Sequence, residues 1–593
     1  MAKIPAAKRH LLKAHALAGL GLCAVGALLA FVGVAAAPSP KVSTAGSWTI
    51  VPSGNGSTVN ALVGVTCVSS SDCWTVGRQR TGSTWQTLID HWDGNSWNVV
   101  ASPNTSTSDN NFLYGVACTS ASQCWAVGFH GVMTFGVGQP LIEQWDGINW
   151  TIYSSPLANP VAQDGLLSSV TCNSVSDCWA VGYQLSGNFN QTLIYHWNGS
   201  IWAALTSANT SAAESNVLNG VTCLSASDCW AVGNHDVGTP VGGAAPQATL
   251  TEHWDGTAWT IAPSPDPTTN YDVLYSVSCG SSSDCTAVGL FAQGTIYQTL
   301  VEHWNGLLWQ VVQSPNPNPN QDNALESVTC NSTSDCWAVG YFNAGDVNNP
   351  VDDTLIIHWD GAAWSIVSSP NRSDYQFNLL YGVTCSSATD CWAVGTSDTP
   401  NAITLVEHYA VTPVPVFQIV SRMTHGNAGT FDILLLGNDP PPPNFLGIEC
   451  RSGGANGNYQ IVFTFVNTLT NVDDATVTSG TGTVASSNVD GSDAHNYIVN
   501  LTGVNNSQVV TVGLTNVTDS AGDFSPSAAA RMGVLIGDTN ADGVVNSADI
   551  SQTTSQSGQP LSNSNFREDV NADGLINSAD ISLVKSKSGS ALP

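Results

Sequence analysis

Two stretches near the C-terminus carry the side chains with the clearest chemistry. Asp538, Asn540, Asp542, Asn546 and Asp549 fall at positions one, three, five, nine and twelve of a loop, with Gly543 at position six. Asp569, Asn571, Asp573, Asn577 and Asp580 repeat that spacing, with Gly574 at six. A hard divalent cation takes six or more oxygens, and glycine at six permits the sharp turn that folds them inward. Val544 and Leu575 would each offer a backbone carbonyl at position seven, and Asn546 and Asn577 would act through water. Position twelve is Asp rather than Glu, so the last ligand reaches from a shorter arm. Each loop is followed by Ile-Ser and a short helical run. The duplicated pattern predicts calcium binding, one ion to each of the two loops.

Elsewhere the reactive side chains recur with a repeat, which argues for structural work. Asp72, Asp177, Asp228, Asp284, Asp335 and Asp390 occupy one turn position and read as turn-formers. His91, His196, His253, His303, His358 and His408 form a second column, with Gln144 standing in for it in one copy. Repetition holds these histidines apart, so a shared metal is not expected. A third column, Asp109, Asp164, Glu214, Asp272, Asp322 and Asp374, precedes a strand in each copy. It reads as linker acids, with a ring of carboxylates at a channel mouth as the alternative. A glycosidase needs two carboxyls at unique facing positions, and no such pair stands out. With only Arg78, Arg80 and Arg372 in the repeats, no arginine cluster is available to clamp an anionic sugar.

The elements behind these columns come from one motif, Gly220-Val-Thr-Cys-Leu-Ser-Ala-Ser-Asp-Cys-Trp-Ala-Val-Gly233, which recurs seven times with cysteine pairs starting 51 to 56 residues apart. Such a period marks a solenoid, a propeller or an array. One copy reads as four short strands with no helical period: 218–223, the run from Cys229, Thr249 to Trp254, and Trp259 onward, the last two joined at Asp255-Gly256. Four strands repeated radially make a propeller blade. The seventh copy stops after His408-Tyr409 and lacks its fourth strand, while an orphan strand, Gly46-Ser-Trp48-Thr-Ile-Val-Pro52, precedes the first. The expectation is a closed seven-bladed β-propeller over 46–411, its last blade completed from the N-terminal side, which removes open edges. Of 20 tryptophans, 19 fall in three repeat columns and are expected to pack between blades. Trp85 lies outside the columns and is the candidate for stacking on a ligand.

The pairs Cys67/Cys73, Cys118/Cys124, Cys172/Cys178, Cys223/Cys229, Cys279/Cys285, Cys330/Cys336 and Cys385/Cys391 each span a hairpin turn. No histidine or third cysteine joins them as a zinc site would require, so seven disulfides within blades are expected. Cys450 is left unpaired. Disulfides imply an oxidising compartment. Residues 1–37 read as a secretory signal, with Lys3, Lys8, Arg9 and Lys13 before an uncharged run from Ala16 to Val34; an uncleaved anchor is the alternative. The net charge is −30, and near −34 without that segment. Such a surface repels nucleic acid and anionic membranes.

After Thr412-Pro-Val-Pro415 the tryptophans cease. Alternating runs at Phe417, Phe431, Gln460, Tyr497 and Val509, separated by Gly, Asn, Asp and Pro clusters, read as an immunoglobulin-like β-sandwich over 412–534. Residues 535–593, with their duplicated calcium loops each followed by a helix, resemble a type I dockerin; Asn563–Glu568 is expected to be a short linking helix. The resemblance implies a small α-helical module that docks onto a cohesin and that often appends carbohydrate-active enzymes to extracellular assemblies. The positions matching that family's recognition pair are Ser547/Ala548 and Ser578/Ala579. The ring resembles Kelch and sialidase propellers in general plan only. The primary reading is therefore a secreted binding or scaffolding protein with a calcium-dependent docking module, its propeller open to a glycan or protein ligand. The alternative is a carbohydrate-active enzyme, a glycoside hydrolase or lyase working on polysaccharide from the propeller face.

Overall fold

The computed structural model describes residues 46–132, 137–155, 165–238, 245–345, 350–373, 375–398, 401–436 and 447–593. The expected signal segment and the acids Asp164 and Asp374 lie outside them. The chain is mainly β and divides into two units, one reaching Ala410 and the other running from Val411 to Pro593.

The first unit repeats a four-stranded antiparallel unit seven times; the first five are separate sheets, and the sixth and seventh are merged into one eight-stranded sheet by a parallel bridge between Asp352 and Phe377. The first is built from Asn60–Ser69, Asp72–Thr81, Thr84–Trp92 and Trp97–Val100. Each opening hairpin is fixed by its turn and its sulfurs: Cys223 lies directly opposite Cys229 in the ladder. All seven disulfides form, with Cα separations of 3.9–4.0 Å. Gly233 ends its Cys-Trp-Ala-Val-Gly run because a Cβ there would strike the Val217 carbonyl on the neighbouring strand.

The sheets are joined into a ring by tryptophan. In most blades the tryptophan after the second cysteine meets the two that flank the Asp/Asn-Gly turn of the next blade. Trp74 lies 4.8 Å from Trp145 and 5.5 Å from Trp150. Trp125, Trp179 and Trp230 repeat the arrangement in blades two to four. Blade seven then closes on blade one, with Trp392 at 4.8 Å from Trp92 and 5.2 Å from Trp97. At the join between blades six and seven, Trp337 meets Tyr409 at 4.7 Å and Trp48 at 5.5 Å. Trp48 thus fills the place of the tryptophan that the seventh copy lacks. Its strand, Gly46–Ile50, lies beside Ile403–Val411, and the Val51 amide donates to the Val406 carbonyl at 2.9 Å. Blade five carries Thr286 where the others have tryptophan, and its seam relies instead on aliphatic packing around Val288, Leu325 and Leu355.

The second unit opens with two sheets that share one core. One has the order Gly429–Leu436, Val416–His425, Tyr459–Phe465, Asn496–Thr502, Thr483–Val489. The other lines up Gly447–Glu449, Phe524–Val534, Gln508–Asp519 and Leu469–Asn471, with Asp474–Ser479 also on Gln508–Asp519. Ile461, Phe463, Val499, Val510, Val512 and Leu514 are fully buried between them. The C-terminal segment adds helices α1 (Ser547–Gln556) and α2 (Ser578–Lys587). Between them Phe566–Glu568 forms a single 3₁₀ turn, shorter than the expected linking helix. Leu535, Val545, Val570 and Val584 bury together with Ile448 of the two-sheet module, so helices and sheets share a small core.

Candidate calcium and docking site

Both predicted loops fold as tight turns onto the first residue of a helix. Gly543 and Gly574 adopt φ of 86° and 94°, a region glycine enters without cost. The Gly543 amide donates to Asp538 Oδ2 at 2.9 Å, and the Gly574 amide to Asp569 Oδ2 at 2.8 Å. In the first loop the carboxylates of Asp538, Asp542 and Asp549 converge, each offering an oxygen within 4.8 Å of the others. Among the described residues, no second cluster of this kind forms. An all-oxygen set of three carboxylates suits a hard cation and not a soft one. Burial raises the carboxyl of Asp538 above its ordinary range, with Asp549 and Asp542 adding repulsion and amide hydrogen bonds opposing. A cation relieves that crowding.

The asparagines at position nine do something the spacing did not reveal. Asn546 and Asn577 are helix N-caps, accepting from the amides of Ala548 and Ala579 at 2.7 Å each. Asp549 and Asp580 complete capping boxes, accepting from the Asn546 and Asn577 amides at 2.9 Å. The position-twelve side chain thus ties the helix start to its loop, and Asp549 Oδ1 also holds the Thr539 amide at 2.9 Å. Val544 and Leu575 are exposed at position seven. Ser547, Ala548, Ser578 and Ala579 are exposed on the first turns of α1 and α2.

The propeller candidates are placed differently from expectation. Trp85 is 7% exposed, covered by the Arg78 guanidinium at 5.5 Å and packed near Phe112, so it offers no platform to a ligand. The turn aspartates do more than form turns. Asp72, Asp177, Asp228, Asp284, Asp335 and Asp390 pair with the histidine column at 2.7–3.3 Å. In blade two both partners change together, to Gln123 and Gln144, which is the signal that would have revealed the pairing. Of the third column, Glu214, Asp272 and Asp322 accept backbone amides from nearby loops at 3.1, 2.9 and 2.9 Å. These three brace loops.

The disulfides pair as the spacing predicts, but they belong to the blade cores and not to a functional surface. The second cysteine of every pair, Cys73, Cys124, Cys178, Cys229, Cys285, Cys336 and Cys391, is buried. The reason is position: each opens the Cys-x-Ala/Thr-Val-Gly strand whose side chains pack into the seam with the neighbouring blade. Cys124 buries with Trp74 and Val76 of blade one, Cys178 with Trp125 and Val127 of blade two, and Cys73 with Trp392 and Val394 of blade seven. Cys285 sits likewise against Trp230, and Cys336 against Val288. The first cysteines, Cys67, Cys118, Cys172, Cys223, Cys279, Cys330 and Cys385, are half-buried on the opening strands.

A further set of acids lies outside every column that the sequence makes conspicuous. Asp90, Glu143, Glu252, Glu302 and Glu407 share one position on the third strands and are fully buried. Ser102 donates to Glu143 at 2.8 Å, Ser264 to Glu302 at 2.5 Å and Ser369 to Glu407 at 2.8 Å, each from the preceding blade. Ser207 donates likewise to Glu252 at 3.0 Å. Burial pushes Glu143, Glu302 and Glu407 up to about 8, and Glu252 and Asp90 up to about 7. Cys450 is free and buried, its thiol pushed up to about 11 by burial.

Against known families, residues 536–587 match the dockerin type I domain. No curated protein matches the chain. Among solved structures, a GH74 xyloglucanase from Xanthomonas campestris superposes with a TM-score of 0.37 at 11% identity, over 81% of each chain. An ulvan lyase of polysaccharide lyase family PL25 gives 0.37 at 9%, over 59% of this chain and 94% of its own. A Dyadobacter fermentans protein of unknown function gives 0.35 at 10%, over 50% and 92%. Superpositions this loose carry nothing about activity. Among the described residues, no helix is long and apolar enough to cross a membrane.

Proposed function

We propose that this is an extracellular binding or scaffolding protein that attaches itself, through its C-terminal dockerin and in a calcium-dependent manner, to a cohesin-bearing partner. The observation that carries the reading is the exposure of Ser547/Ala548 and Ser578/Ala579 on the helices that the two calcium loops cap. Two calcium ions occupy the loops. Asp538, Asn540, Asp542, the Val544 carbonyl, Asn546 and Asp549 serve the first. Asp569, Asn571, Asp573, the Leu575 carbonyl, Asn577 and Asp580 serve the second. Calcium neutralises the inward carboxylates and fixes each loop, so the helix that follows presents its first turn in one orientation.

The propeller, 46–411, presents loops to a polysaccharide or cell-surface ligand, and the module at 412–534 is an immunoglobulin-like spacer before the dockerin at 535–593. A binding role is preferred to hydrolysis because the repeated acids of the propeller are engaged: by histidines in the turns, by serines between blades and by loop amides. The seven disulfides suit an oxidising, extracellular location.

The test is surface plasmon resonance of the full chain over immobilised type I cohesins in excess calcium. Replacing Ser547 and Ala548 together with Asp, or Ser578 and Ala579 together, is expected to remove one docking mode each, and all four changes to abolish binding. Binding that survives all four changes would place recognition elsewhere.

A further inference from the structure

We propose that His425, at the end of the strand Val416–His425, positions the first ligand of the second calcium loop, so that the two-sheet module forms part of that calcium site. This rests on the two-ion reading above. The two loops begin alike. In each, the position-six amide binds Oδ2 of the first aspartate, and the position-five amide reaches Oδ1, at 3.1 Å in the first loop and 3.2 Å in the second. They differ in one donor. Asp569 Oδ2 also receives His425 Nδ1 at 2.8 Å, and neither side chain has any exposed surface.

The histidine is itself held. Its Nε2 faces Arg451 Nη1 at 3.2 Å. A guanidinium only donates, so Nε2 accepts and the proton sits on Nδ1, aimed at Asp569. Arg451 is fully buried and clamped by Glu449, through Nε to Oε1 at 2.8 Å and Nη2 to Oε2 at 2.7 Å. It also donates to the carbonyls of Phe431 at 2.8 Å and Ser421 at 3.0 Å, while the Ser421 hydroxyl donates to Glu449. Phe431 and Phe566 stack at 5.3 Å, and the His425 ring stands nearly perpendicular to both. Each of these side-chain donors, from Ser421 through Arg451 to His425, has an acceptor, which makes a stiff support.

The backbone follows the same path. The Gly426 amide donates to the Ala572 carbonyl at 3.1 Å, and the Ser452 amide to the Val570 carbonyl at 2.7 Å. Gly426 has φ of 49°, and a Cβ there would strike the Asp573 carbonyl. The first loop is clasped instead by the chain's own C-terminal residues, where Val544 bridges Ala591 and the Leu592 amide donates to the Gly543 carbonyl at 3.1 Å. With two donors on Oδ2, the Asp569 carboxylate keeps Oδ1 turned into the loop. Partners of this kind typically change metal affinity 10–100-fold. The second loop, whose carboxylates do not converge as the first loop's do, is the one that receives this support.

The test is calorimetric titration of the full chain with calcium, the two sites being assigned with Asp538→Ala and Asp569→Ala. His425→Ala is expected to weaken the second site about 10–100-fold and leave the first within about twofold. His425→Asn, whose amide nitrogen stands near the place of Nδ1, is expected to recover much of the loss. Hydrogen exchange on the unmodified chain gives an independent reading: chelation should deprotect the amides of 424–426. A second site indifferent to His425→Ala overturns the proposal, as does equal weakening of both sites without rescue by Asn. If His425→Ala does not fold, unchanged exchange at 424–426 on chelation overturns it. An unmodified chain that binds a single calcium refutes the two-ion reading instead.

Discussion

Replacing Glu143 with Gln should flatten the dependence of propeller stability on pH. Glu143 has no exposed surface, and burial moves its carboxyl from 4.5 to about 8, with the Ser102 hydrogen bond opposing. Between those two values the unfolded chain has released the proton that the folded chain retains. Each unit of rising pH therefore favours unfolding by about 1.4 kcal/mol for this one group. The stabilisation is complete below about pH 4.5 and is lost as pH rises through about 8. From pH 5 to pH 7 the loss is about 2–3 kcal/mol for Glu143 alone. Gln is neutral in both states and its carbonyl still accepts from Ser102, so the variant should lose about 2–3 kcal/mol less over that interval. The turn carboxylates Asp93, Asp146, Asp255 and Asp360 are lowered by hydrogen bonds from their own turns, so their contribution falls away only in acid and is constant from pH 5 to 7. Urea unfolding at pH 5, 6 and 7, followed by tryptophan fluorescence, is the assay. All 20 tryptophans lie between Trp48 and Trp392, so the signal reports the propeller. A wild-type stability that is level or rising from pH 5 to 7, with the same slope in the variant, would refute the reasoning.

Trp48→Ala should cost about 3–5 kcal/mol, because it empties the seam between blades six and seven, and hydrogen exchange should quicken along Ile403–Val411. Replacing Cys223 and Cys229 together with Ala should cost about 2 kcal/mol by urea unfolding, the low end for a disulfide, since the pair is only six residues apart. Asp538→Ala should remove one calcium from the stoichiometry measured by calorimetry and shift the thermal transition of the second unit downward, as measured by differential scanning calorimetry.

The ring was legible because its determinants repeat: cysteine pairs set the hairpins, tryptophan columns set the seams, and the truncated seventh copy with its orphan Trp48 announced how the ring closes. The two loops were legible because all the candidate oxygen side chains of each sit within one short stretch. What escaped notice depends on distant partners. Ser369 and Glu407 are 38 residues apart and meet only when consecutive blades stack. The cysteine spacing gave the pairing, yet only stacking shows that Cys124 and Cys178 bury against the tryptophan of the blade before. The Asp–His pairing spans 19 residues in blade one, and its trace, the joint change to Gln123 and Gln144, appears in a single copy. Trp85 broke the column pattern and so invited a functional reading, yet it packs beneath Arg78. His425 and Asp569 are 144 residues apart, in modules whose local patterns give no hint of each other.

Sedimentation velocity of the full chain mixed with a type I cohesin tests the docking account most directly. A faster-sedimenting complex that forms in calcium and separates on adding chelator is the predicted result. A chain that sediments alone in calcium across a representative cohesin panel, or a complex indifferent to chelator, would contradict it.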